Sequence, residues 1–243
     1  MKKIFFLIAA LLVTMVGIAQ TLNVHKTNGE VISIPMTEVS YVDFPIADVP
    51  SPPEGVEAVD LGLPSGTKWA NMNIGATKPE EFGGYYAWGE TEEKGYYGPD
   101  NYQRPVRQGE QYKEGFWPIS NIAYTQYDVA STKWGGTWHM PTLNQLNELF
   151  RNCAWKWTEE NGVAGYRVTS KINNKKIFLP AAGYREYNLV KNAGKEIHYY
   201  GEYWQSSVDM SADNKSAGFD DEGYGDYVSY GSGRGRSVRP VCD

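Results

Sequence analysis

The sequence predicts an α+β fold, with one or two helices laid on short, twisted antiparallel strands and a small β unit in front. Three observations carry this class. The stretch WGGTWHMPTLNQLNELFRNC joins a capping box, Thr142 with Gln145, to Leu143, Leu146, Leu149 and Phe150 at helical spacing, which predicts an amphipathic helix over residues 142–152. Elsewhere, brief apolar and aromatic runs alternate with turns rich in Gly, Asn and Asp, the pattern of short strands. Finally, 8 Trp, 18 Tyr and 26 Gly favour a β-rich, loop-rich body over a helical bundle.

Taken in order, residues 1–19 read as a cleavable signal peptide. Two lysines precede the apolar run IFFLIAALLVTMV, and Gly17 and Ala19 occupy the −3 and −1 positions of a cleavage site. The run is too short for a spanning helix, and no cysteine lies near the cut. The mature chain is therefore expected to be secreted or held at the cell surface, without a membrane span and not as a lipoprotein. Loss of Lys2 and Lys3 takes the formal charge from −6 to −8, which argues against a nucleic-acid partner.

Residues 20–44 read as the small β unit. Apolar residues alternate on both sides of Asn28-Gly29, a hairpin turn signal, and MTEVSYVDF follows as a turn with a further strand. So small a unit buries little, so it is expected to pack on the main domain or on another chain. Residues 45–56 carry four prolines and no period, which predicts a stiff linker before a domain spanning 57–243.

The main domain opens with strands through VDLGLPSGTKWANMNIGA and YYAWGE. Residues 91–122 then form a long loop region without clear period, and its aromatics favour an ordered surface loop of the kind that carries function. Asp128 caps a brief helix ended by Gly135-Gly136, the central helix follows, and GYRVTSKINNKKIFLP predicts a hairpin around Asn173-Asn174. Further short strands run to Val241. The two cysteines, Cys153 and Cys242, have two readings in an exported chain: one disulfide, which is the leading expectation, or two buried thiols.

The motifs VDLGLPSGTKWANMNIGA, YYAWGET, YDVASTKWGGTWHMPT, IFLPAAGYR and SVRPV, in this order, resemble the Fibrobacter succinogenes major paralogous domain. That group is similar in turn to C-type lectin-like domains and sulfatase-modifying factors. The resemblance implies a C-type-lectin-like fold over residues 57–241. It also favours the Cys153–Cys242 pairing, since C-type lectins commonly tie a helix to the final strand. The front unit resembles short N-terminal units of exported bacterial proteins.

Sulfatase-modifying factors, the formylglycine-generating enzymes, use a pair of C-terminal cysteines, and here only Cys242 lies in that region. HExxH, CxxC, Walker A and GxSxG motifs are absent, and the three histidines have no ligand spacing. Gly231-Ser232-Gly233-Arg234-Gly235 reads as a glycine-rich turn, not a phosphate cradle. No catalytic residue and no cofactor is therefore expected. The lectin calcium motifs are missing too, yet Asp220, Asp221, Glu222 and Asp226 offer hard oxygen ligands that calcium could use.

Aromatic faces stack on sugar rings or anchor protein partners, so Trp117, Tyr200, Tyr224 and Tyr230 in loops and turns are the candidate ligand-binding residues. Trp69, Trp88, Trp138, Trp155 and Trp204 are assigned to the core. The expected function is non-catalytic recognition of a glycan or a cell-surface protein. A structural component of a surface assembly and a degenerate enzyme relative are the alternatives.

Overall fold

A computed structural model describes residues 21–25, 29–38, 50–103, 119–191, 193, 200–208, 214–228 and 231–243. The expected signal peptide, residues 1–19, lies outside them. Among the described residues no helix is long and apolar enough to cross a membrane. The chain divides into two compact units, Met1–Ala47 and Asp48–Asp243.

In the first unit, β1 (Thr21–His25) and β2 (Val31–Pro35) pair antiparallel with Thr21 opposite Pro35 and His25 opposite Val31. Gly29, two residues before β2, takes φ 86°, a left-handed conformation that favours glycine. A single 3-10 turn, Met36–Glu38, follows. Only Leu22 and Ile34 are half-buried, and every other residue of the two strands is exposed.

The second unit contains β3 (Ala58–Asp60), β4 (Lys68–Ala70), α1 (Val129–Trp134), β5 (Trp138–His139), α2 (Leu143–Asn152), β6 (Cys153–Glu160), β7 (Val163–Ser170) and β8 (Lys176–Pro180). It continues with β9 (Tyr184–Glu186), β10 (Leu189–Lys191), β11 (Gly201–Val208), β12 (Asn214–Phe219), β13 (Tyr224–Val228) and β14 (Val241–Cys242). The central four-stranded sheet runs β3-β4-β14-β5, so the last strand lies between two early ones. Two three-stranded meanders, β6-β7-β8 and β11-β12-β13, and the β9-β10 hairpin complete the unit.

The expected α+β class, and the C-type-lectin-like architecture placed in it, is corrected by this arrangement. The described residues are mostly β, with 39% strand against 11% helical, in five small antiparallel sheets with two α-helices among them. The helices are accessories to cores that the sheets build. α2 buries only Leu146 and Leu149. The same core cluster draws Trp69, Tyr166, Val168, Ile177, Leu179, Tyr203, Ala217, Phe219 and Val241 from strands.

Both helices form where their caps predict. Thr142 and Gln145 close a reciprocal capping box on α2, a device that contributes about 1 kcal/mol. The Asp128 carboxylate accepts from the N–H groups of Ala130 and Ser131 at the start of α1, and also from those of Tyr124 and Met140. One buried side chain thereby ties three segments together.

The disulfide expected between Cys153 and Cys242 is not formed: both are free thiols, 1% and 7% exposed. Cys153 opens β6 in one sheet, opposite Ser170, whereas Cys242 sits in β14 between Lys68 and Trp138 of another. Burial pushes the Cys153 thiol up to about 11.

The proline-rich stretch expected as a spacer joins the second unit at its far end. Asn71 bonds the Gly55 carbonyl (3.0 Å) and the Glu57 N–H (3.0 Å), and Val56 packs against the core. Near the other end of the chain, Arg239 is 1% exposed, and among the described residues no carboxylate pairs with it. It donates to Asn73 Oδ1 (2.8 Å) and to the carbonyls of Ala70 (3.1 Å) and Phe178 (2.9 Å), and desolvation lowers its pKa to about 10.

A candidate binding groove

The site begins with the glycines near the C-terminus. A Cβ on Gly235 would stand 2.7 Å from the Tyr97 ring, and one on Gly233 would stand 3.0 Å from Tyr102 Cβ. Only glycine lets these tyrosines lie down on the backbone. The run Gly231–Gly235 is therefore a bed for the loop 89–103, which answers the question its glycine pattern raised.

Single backbone bridges hold this bed together. Tyr86 pairs with Arg236, Arg185 with Gly235, and Tyr97 with Tyr187. Trp88 N–H adds a bond to the Ser232 carbonyl (2.9 Å). Arg236 is 1% exposed, pairs with Glu202, and lies 4.1 Å over the Trp204 ring. A buried cation with a carboxylate and an aromatic face around it locks the segment in register.

On this base the two tyrosines clamp the loop. Tyr97 is 1% exposed; its hydroxyl donates to the Tyr85 carbonyl and accepts from the Lys94 N–H (2.9 Å). Burial raises its pKa. The Tyr102 hydroxyl donates to the Trp88 carbonyl (2.9 Å). Both ends of the segment 88–102 are thus tied by phenols to backbone, which sets the polar side chains between them in place.

Those side chains line an open groove of about 570 Å³, bounded by Gly89–Glu92, Lys94, Asn101 and Gln103 on one side and Gln126 with Tyr127 on the other. Its charges are internally matched. Lys94 Nζ is 2.6 Å from Glu90 Oε2, and Lys133 Nζ is 3.3 Å from Glu92 Oε2. The second Glu90 oxygen accepts the Gln103 N–H (2.9 Å). The rest of the wall is Thr91, Asn101, Gln103, Gln126 and Tyr127, of which the Asn101 amide is engaged by Tyr96, Gly98 and Lys94. Such a lining can exchange hydrogen bonds with a polar, uncharged ligand.

Beside this wall stands an exposed aromatic pair. Tyr96 and Tyr187 are 39% and 47% exposed, with ring centroids 5.5 Å apart. The carbonyl of Tyr96 accepts from the amide of the groove residue Asn101 (2.8 Å). Gly98 makes room for the Tyr96 ring, since a Cβ there would come within 2.5 Å of it. Tyr187 holds φ 55°, a left-handed conformation that costs a bulky residue about 1–3 kcal/mol. Two backbone hydrogen bonds to Tyr97, of 2.8 and 2.7 Å, hold it there.

The structure does not bring the sequence-chosen residues together at this groove. Trp117 and Tyr230 lie outside the described residues. Tyr200 is half-buried, and its carbonyl accepts from the Gly183 N–H (2.6 Å). Tyr224 is 39% exposed, but one face of its ring stacks on Trp155 at 4.4 Å and 13°. It thereby caps an aromatic core layer with Phe150 and Tyr166. Of the tryptophans assigned to the core, Trp69, Trp88 and Trp204 are fully buried, and Trp138 and Trp155 are half-buried against it.

The acidic turn offered to calcium is partly spent on its own backbone. Asp220 Oδ1 accepts the N–H groups of Glu222 and Gly223, each at 2.9 Å, while Asp221 and Glu222 point into solvent. Asp226 lies in β13, and its side chain is outside the described residues. Among the described residues no three His, Cys, Asp or Glu side chains converge as a metal-binding group.

The sequence placed its candidate ligand-binding residues in the long loop and the C-terminal turns, and the groove residues Glu90, Lys94 and Gln126, with Tyr187 beside them, were not among them. A lone Gln or Lys in a loop carries no periodic signal. Tyr187, a bulky residue in a left-handed turn, contradicts the residue preference that marks turns. No family model, curated protein or solved structure matches the chain.

Proposed function

We propose that the chain is a non-catalytic binding module that recognises a glycan or a protein surface outside the cell, through the groove between residues 89–103 and Gln126–Tyr127. The observation that carries this reading is the lining itself, a cavity of ligand size whose charged groups are held in ion pairs, one of them with Lys133 of α1, and whose other side chains are amides and hydroxyls. Glu90, Glu92 and Lys94 are held in ion pairs and are not set as an acid facing a base. That arrangement favours recognition over acid–base catalysis. Export rests on the leader read in residues 1–19.

A glycan and protein array tests the groove. The double variant Gln103→Ala, Gln126→Ala is expected to weaken any ligand's binding about 5- to 100-fold, two neutral hydrogen bonds' worth, with its melting temperature unchanged. Unaltered affinity in that variant for every ligand bound would sink the groove as the site.

A second reading has its own observation. The front hairpin exposes Val24, Val31 and Ile32 at 39%, 48% and 38%, and two strands alone are marginal in water. This favours an assembly role for residues 20–44, in which the hairpin docks on another chain.

A further inference from the structure

We infer that the ligand of this groove is a neutral polysaccharide chain, bound without a metal ion and with a sugar ring stacked on the Tyr96–Tyr187 pair. The inference rests on the groove being the site, and it names the ligand class and a recognition element outside the groove wall.

Tyr187 carries the first part. Its position asks for glycine, because φ is 55° and the turn is fixed by two hydrogen bonds to Tyr97. The chain nevertheless places a large ring there and leaves it 47% exposed, where it buries too little to offset the strained backbone. Its neighbour is the equally exposed ring of Tyr96, for which Gly98 clears the space. Two exposed tyrosines with ring planes 47° apart make an angled shelf, either ring of which can take a flat apolar face.

The groove wall carries the second part. Asn101 joins wall to shelf, since its amide donates to the Tyr96 carbonyl and its oxygens face Lys94 Nζ at 3.2 and 3.4 Å. Among the described residues the wall's two acids and its lysine are each held in an ion pair, Glu92 with Lys133 of α1 outside the wall, so no described charge of the wall stands alone for a charged ligand. Amides and hydroxyls beside an aromatic shelf match a ligand with an apolar C–H face and a rim of hydroxyls. A pyranose ring has both. The groove is open and its volume of about 570 Å³ falls in the usual range for small ligands, roughly 300–1,000 Å³, so it admits a short run of a longer chain.

Affinity electrophoresis of the intact chain in EDTA tests this, with hydroxyethyl cellulose, galactomannan and starch as neutral probes and polygalacturonate as the acidic one. Retardation by at least one neutral probe, undiminished by the chelator, is expected. Tyr187→Gly should weaken it about tenfold or more. Because glycine suits φ 55°, this variant should melt no lower than the parent, which separates a lost contact from a lost fold. No retardation by any neutral probe, binding only to polygalacturonate or a protein, loss in EDTA, or full affinity in Tyr187→Gly overturns the inference. If a ligand of another class is weakened by Gln103→Ala, Gln126→Ala, the groove stands and only the ligand class falls. If that double variant binds a neutral probe as tightly as the parent, the groove itself falls.

Discussion

Single side chains decide several properties of this molecule. Cys153 shows how burial governs reactivity. The thiolate is the reacting form, and a group pushed up to about 11 stays protonated at pH 8. Its folded pKa stands above the ordinary 9.0, so the stability it contributes is complete below pH 9 and is lost as the pH rises through 11. Thiol titration with a disulfide-exchange reagent at pH 8 should therefore detect almost nothing in the folded protein and two thiols per chain in denaturant. Zero thiols in denaturant would restore the disulfide and overturn the free-thiol assignment. Arg239 is the opposite case, a charge kept in the core because three oxygens receive it. Its neighbours in the chain, Ser237-Val238 and Pro240-Val241, gave no hint that its partners would be Ala70, Asn73 and Phe178.

At the scale of elements, glycine placement is the main device. Glycines in turns are legible from sequence, but those under Tyr97 and Tyr102 are not, because their partners lie more than a hundred residues away. Gly235→Ala would put a methyl 2.7 Å from the Tyr97 ring and should cost about 1–3 kcal/mol, the usual penalty of overpacking. Hydrogen exchange should also quicken across residues 89–103, since Tyr97 anchors that loop. Gly223→Ala, with nothing within 4 Å of its added Cβ, is the control and should be nearly neutral. Equal effects of the two substitutions, read by chemical denaturation, would remove the bed of glycines as an explanation. The capped helices behave differently. The capping bonds of Thr142, Gln145 and Asp128 span three residues or fewer and were readable before any tertiary contact was known, whereas the bonds of Asp128 to Met140 and of Gln145 to Thr67 were not.

The whole molecule is two units whose cores differ in kind. Asp48–Asp243 has extensive apolar clusters, whereas the front hairpin leaves most of its strand residues exposed. Residues 48–243 made alone should unfold in one cooperative transition with a midpoint close to that of the intact chain, and residues 20–47 alone should show none. A non-cooperative 48–243 fragment, judged by calorimetry, would reject this division. If the hairpin serves assembly, its removal should also abolish any concentration-dependent oligomer seen by sedimentation. The sequence by itself determined the two strands of the front hairpin and both helices with their caps. These depend on residues within a few positions of each other, where turn and capping chemistry act directly. Tertiary structure alone decided that the class is mostly β, that the two thiols lie in separate sheets, and that Tyr224 is a core cap. It also decided that residues near 90 and 126 line one groove, with Tyr187 paired to Tyr97 and Gly235 under the same loop. Short strands bury their faces only against partners distant in the chain, and no local pattern specifies which partners those are.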